Sequence, residues 1–179
     1  MGPIKVSVLT SVLNQGEWLK ECIASVIAST FKDWEQIVVD DGSTEDIKSI
    51  VESFNDPRVR YFSFPENRGI PHGSNFALSV CAGEYVCLLA ADEVIWNEKM
   101  QIQYDYLEAN SKVDCVWGLP TRGGINHKVL QTEFGRRPDW EQNYYRGHNR
   151  SRYSWMRTLL NVEGVPIGGC SLMMRRDVM

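Results

Sequence analysis

The 179-residue sequence has no run close to the ~20 apolar residues that a membrane-crossing helix needs. No signal-peptide pattern precedes its first strand-like segment, so a cytoplasmic chain is expected. Basic charge is also scarce. Nineteen lysines and arginines face 23 aspartates and glutamates, a net charge of −4, which leaves no positive field to hold a nucleic-acid backbone by counterion release. The five cysteines, at 22, 81, 87, 115 and 170, form no C-x-x-C pair, and His72, His127 and His148 share no ligand spacing. Buried reduced thiols are therefore expected, and a zinc centre is not. Glycine is missing from Thr10-Ser11-Val12-Leu13-Asn14-Gln15, so the glycine-rich phosphate loop that a sugar nucleotidyltransferase needs after its first strand is excluded. There is no internal repeat and no low-complexity tract. What remains, 43% hydrophobic residues in one domain's length, describes a single globular core.

The chain alternates two kinds of hydrophobic pattern. Lys5 to Thr10, Gln36 to Asp40, Val59 to Phe64, Glu84 to Leu89 and Val113 to Trp117 are short β-branched or continuously apolar runs, the pattern of strands. Between them, Glu17 to Ala28, Glu45 to Phe54, Pro71 to Cys81 and a stretch after Asn97 carry apolar residues at helical spacing. Ser43 or Thr44 is expected to cap the second helix and Asn97 the fourth. From Gly118 to Gly164 the periodicity fades into Arg, Trp, Tyr, Asn and Gly, read as surface loops and short helices, and Val165 to Met174 is again strand-like.

Strands alternating with helices predict an α/β fold, a mostly parallel central sheet with helices on both faces, whose ligands bind beyond the carboxyl ends of the strands. Acidic residues at those ends become the candidates: Asp40-Asp41 after the second strand and Asp92-Glu93 after the fourth. A phospho-acceptor receiver would instead carry its acidic pair after the first strand.

Taken in order, Val6-Ser7-Val8-Leu9 with Asn14, Val38-Val39-Asp40-Asp41-Gly42-Ser43, Asn67-Arg68-Gly69, Gly83-Glu84-Tyr85 and Ala91-Asp92 resemble the family 2 glycosyltransferases of the GT-A, Rossmann-like fold. The resemblance runs from residue 4 to about 176. It implies one GT-A domain over 4–179, with a nucleotide-binding part at about 4–118 and the start of an acceptor-binding part at about 119–179. It also implies inverting transfer of a sugar from a nucleotide-diphosphate donor, UDP-type favoured, to a saccharide or lipid-linked acceptor in polysaccharide or glycolipid synthesis. Such an enzyme works in the cytoplasm or peripherally at the inner face of the membrane.

Residue by residue, the resemblance assigns the nucleotide to Ser11, Asn14, Asp41, Arg68 and Ala91. A carboxylate beside the uracil imide accepts its N–H. In the family's Asp-x-Asp motif the last Asp ligates Mg²⁺ or Mn²⁺ on the diphosphate. Here Leu89-Ala90-Ala91-Asp92-Glu93 keeps that residue as Asp92, with Glu93 the nearest carboxylate to support it. Leu13 stands where many relatives stack an aromatic ring on the base. Gly168, Gly169 and Cys170 fall on the acceptor side, and Arg136 to Arg157 either lines the acceptor cleft or is a solvated loop. The base that deprotonates the acceptor lies further along in relatives, beyond Met179, so the chain is expected to be part of a longer protein whose catalytic base it lacks. Ala90, Ala91 and Leu13 keep a second reading open, a glycosyltransferase-like domain that binds a nucleotide or a partner without turnover.

Overall fold

The computed structural model describes residues 2–117, 122–123, 129–131 and 172–178. The chain divides into two compact units, one of residues 1–119 with 168–179 and a second of residues 120–167. In the first unit the alternating order holds: β1 (Val6–Val12), α1 (Gly16–Ile27), β2 (Trp34–Asp40), α2 (Ile47–Glu52), β3 (Val59–Ser63), α3 (Ile70–Val80), β4 (Tyr85–Leu88), α4 (Lys99–Ala109) and β5 (Cys115–Trp117). In the second unit, β6 (Arg122–Gly123) and β7 (Val129–Gln131) pair antiparallel, strands where loops and short helices were expected. A further strand, β8 (Leu172–Arg175), returns to the first unit and leads into a 3-10 turn over Arg176–Val178.

The six-stranded sheet has the order β3-β2-β1-β4-β8-β5. Its first four strands are parallel, and β8 lies antiparallel between β4 and β5. Residue alternation sends the two sides of each strand to different helices. Val6, Val8, Trp34 and Cys87 pack with Cys22 and Val26 of α1 and with Met100 and Leu107 of α4. Val12 and Val38 meet Leu19, Ile23 and, from α2, Ile47 and Val51. On the opposite face Leu9, Ile37, Val39 and Val86 pack under Ala77 of α3 and the adjoining Cys81. All seven residues of β2 are buried, as expected of a parallel strand covered on both sides.

Two polar networks tie down the sheet away from the candidate site. The Glu35 carboxylate accepts from Ser7 Oγ at 2.7 Å, the Ala82 amide at 2.6 Å and Arg60 Nη1 at 2.7 Å. Burial alone would push this carboxyl up. The bonds from Ala82, Arg60 and Ser7 outweigh it and hold the group below the usual range. Gly83 donates to Ser7 Oγ, and a Cβ there would lie 2.6 Å from the Ser7 nitrogen, so only glycine lets β4 enter this close to β1. At the β4–β8 edge Arg175 donates to Tyr85 Oη and to the carbonyls of Leu107 and Val113. Burial and the Glu108 carboxylate beside it push the Tyr85 phenol up to about 12. Cys22, Cys81 and Cys87 are buried free thiols, as expected, while Cys115 is a free thiol that is only half-buried. Cys170 lies outside the described residues.

Two expected caps are corrected. Asp46 caps α2, accepting from the Ser49 amide at 3.0 Å, because Ser43 and Thr44 are bound elsewhere. The residue before α4 is Glu98, with no side-chain cap, while the Asn97 carbonyl accepts from Ser29 and Thr30 at the end of α1.

Candidate functional site

The parallel strands β1, β2 and β3 end at one edge of the sheet, and the connections that follow them meet there: residues 13–15, 41–46 and 64–69. Asn14 sits at φ 52°, a left-handed conformation that asparagine tolerates better than most residues. Its amide donates to Ser43 Oγ at 3.0 Å, and its Oδ1 accepts from the Thr44 amide at 2.8 Å and the Thr44 hydroxyl at 3.1 Å. Glu45 closes the next gap, its carboxylate accepting from the Gly16 amide at 2.8 Å. The amino terminus of α1, the usual diphosphate cradle of dinucleotide-binding folds, is thus already covered by a carboxylate.

The Asp40-Asp41 pair divides its work between two loops. Asp40 Oδ1 accepts from the Ser43 amide at 2.9 Å and Oδ2 from Tyr61 Oη at 2.9 Å. Asp41, 3% exposed, spends Oδ1 on the Arg68 amide and Oδ2 on the Gly69 amide, each at 2.8 Å. Gly42 between the two loops has φ 80°, and a Cβ on it would lie 2.5 Å from the Glu66 carbonyl carbon. The two turns therefore pack backbone against backbone, which a side chain at 42 would prevent.

Beyond β4 the chain makes a second acidic turn. The Glu93 amide donates to the Ala90 carbonyl at 3.1 Å, and its carboxylate reaches back to the Ala90 amide at 3.1 Å. Asp92 between them is exposed. Among the described residues no three His, Cys, Asp or Glu side chains gather as a metal cluster.

The family model for glycosyl transferase family 2 matches residues 7–179. The chain belongs to that family. An uncharacterized glycosyltransferase of Rickettsia felis is 35% identical over 108 residues, which are 60% of this chain and 18% of that protein. The match therefore spans less than a fifth of that relative's length. Among solved structures, residues 1–349 of S. aureus TarS in complex with UDP share 26% identity at a TM-score of 0.63, covering 74% of this chain and 40% of TarS 1–349. The mannosyltransferase PcManGT from Pyrobaculum calidifontis, in complex with GDP-Man and Mn²⁺, superposes at a TM-score of 0.60 with 23% identity over 68% of this chain and 38% of its own. The α/β sheet is that of the GT-A fold, as expected from the sequence.

The family 2 domain brings Ser11, Asn14, Asp41 and Arg68 to one edge of the sheet. The Ser11 hydroxyl lies on the α3 side, 2.7 Å from where a Cβ on Gly73 would stand, so the missing side chain of Gly73 makes its room. Asn14 and Asp41 are the clasps between the loops, a role that the motif does not announce because their partners sit about 30 residues away. Ala91 lies in the buried cluster with Val12, Leu19 and Ile23, its methyl part of the core. Gly168, Gly169 and Cys170 lie outside the described residues, as does Arg136 to Arg157. Glu45 and His72 were not anticipated as members of the site. A glutamate followed after one residue by a hydrophobic helix start reads only as local capping, and His72 reads as a lone surface histidine.

Proposed function

We infer that this domain binds a nucleoside-diphosphate sugar at the edge carrying Asp41, Arg68 and Asp92, and passes the sugar to an acceptor hydroxyl with inversion. The observation that carries this reading is the contrast between its carboxylates: Asp40, Asp41 and Glu93 hold backbone amides, while Asp92 stands exposed on the same edge with no hydrogen bond or ion pair among the described residues. A Mg²⁺ or Mn²⁺ ion held by few protein carboxylates and by substrate phosphates suits such a residue. Bound, the cation would neutralise charge on the diphosphate leaving group. The Mn²⁺ in PcManGT and the UDP in TarS support a divalent ion and a uridine donor.

Asp41 retains lone pairs after its two backbone bonds, since a carboxylate offers about four acceptor positions. One of these accepts the imide N–H of uracil. Asn14 and Glu45 fix the turn that carries Asp41, and Arg68 meets phosphate charge. No helix among the described residues is long and apolar enough to cross a membrane. We place the domain in the synthesis of polysaccharide or glycolipid, with a saccharide or lipid-linked acceptor.

Thermal-shift measurements with UDP, GDP, dTDP and CDP, each with and without Mn²⁺, test the reading. UDP with Mn²⁺ should stabilise most, by roughly 2.7 kcal/mol at a hundred times its dissociation constant. Equal shifts in EDTA and Mn²⁺ would remove Asp92 as a metal ligand. Nucleotide binding without sugar transfer by the complete protein would instead favour a binding module.

A further inference from the structure

Three arginines of the sheet's first half are held in different ways. Arg58 pairs with Asp56 at 2.6 Å and Arg60 with Glu35 at 2.7 Å, so their charge is met within the fold. Arg68 has no carboxylate within ion-pair distance among the described residues, although its side chain is held. Its guanidinium carbon lies 5.4 Å from the centre of the Phe64 ring, and its Nη1 lies 3.4 Å from His72 Nε2. A guanidinium only donates, so the imidazole nitrogen is the acceptor. His72 is in turn set by Phe64, at 5.0 Å between ring centroids, and Phe64 packs edge-on against Phe76 at 5.4 Å. The backbone is fixed as well, through the bond from the Arg68 amide to Asp41 and through Gly69 at φ 87°.

An exposed arginine ordinarily loses about 2 kcal/mol of rotamer freedom when a ligand immobilises it. Here much of that ordering is already supplied by one aromatic face and one imidazole. Because Glu45 already takes the Gly16 amide at the amino terminus of α1, a charged side chain or a cation is the natural partner for phosphate charge at this edge. The geometry points to His72 as a positioning residue that holds Arg68 ready for the phosphates of the donor. This rests on the donor reading above and adds to it a residue that the family motifs do not mark.

Isothermal titration of UDP, uridine and inorganic pyrophosphate into the chain with Mn²⁺ tests it, using Arg68→Ala, His72→Leu, His72→Gln and the Arg68→Ala/His72→Leu double variant. Arg68→Ala should weaken UDP and pyrophosphate about tenfold, the scale of one charge-assisted contact, with uridine unaffected. His72→Leu should weaken them about threefold, and His72→Gln, whose amide oxygen can still accept, should restore most of the loss. The double variant should bind as Arg68→Ala does, since residues acting through one contact are not additive. Unchanged binding in Arg68→Ala would overturn the phosphate role of Arg68 and this inference with it. Weakened binding in Arg68→Ala beside unchanged binding in His72→Leu, or fully additive losses in the double variant, would overturn the role of His72 alone.

Discussion

The turn after β2 and the turn after β4 both present two acidic residues at the carboxyl edge of the sheet, yet they use them in opposite ways. In Asp40–Ser43 both carboxylates are buried and spent, on the Ser43 amide and Tyr61 in one case and on the Arg68 and Gly69 amides in the other. In Ala90–Glu93 only Glu93 is spent, on the Ala90 amide, and Asp92 faces solvent. Burial separates the two jobs. A carboxylate that closes loops must be shielded and must give an oxygen to each loop amide, because a buried acceptor or amide left unpaired costs ~1–3 kcal/mol. One that takes up an ion from solution must keep its lone pairs free.

The largest effect should come from forcing the first turn apart. Gly42→Val puts a branched side chain at a left-handed φ and into the Glu66 backbone, and should cost about 4 kcal/mol in urea unfolding, strain and overpacking together. Asp41→Asn should cost about 2–3 kcal/mol, since an amide group gives one of the Arg68 and Gly69 amides a donor to face instead of an acceptor. If it proved neutral, the loops would not be closed by that carboxylate.

Glu35 extends the comparison to a saturated carboxylate away from the site. Its folded-state pKa is depressed, so its stabilising contribution is complete above the unfolded value near ~4.3 and is lost as pH falls through the lower folded value. In urea unfolding between pH 5 and pH 3, Glu35→Gln should show a shallower acid loss than the unsubstituted chain. Asp92→Asn should have the smallest effect on the fold, within ~0.5 kcal/mol, while removing the Mn²⁺ dependence of UDP binding in calorimetry. A large loss of stability there would place Asp92 with the loop-closing carboxylates.

The elements of the parallel sheet were legible because each strand is a short β-branched or apolar run and each helix repeats its apolar residues three or four apart. The edge that carries the site was legible for the same reason, since it follows from strand direction alone. What escaped was long-range. That Asp41 reaches Arg68 and Gly69, and that Asn14 rather than a downstream amide engages Thr44, depends on the packing of loops far apart in sequence. The caps failed on this point: Ser43 and Thr44 have the chemistry for α2, but Asn14 already engages them. The burial of the Ala91 methyl was likewise beyond the motif, which aligns residues without saying which way an extended segment turns its side chains.

The antiparallel strand β8 governs the order in which this sheet can be assembled. β5 has no direct partner in the parallel set and joins it only through β8, in the register Val116 with Met173. Residues 118–171 must therefore be synthesised before β5 can take its hydrogen-bonded place in the sheet, whereas β1 to β4 can pair as soon as they emerge. Contacts of such sequence separation form slowly because chain closure precedes any gain from pairing. On the ribosome the parallel half of the sheet thus has time to form first, and the completion of its far edge waits on residues 172–175 to close it.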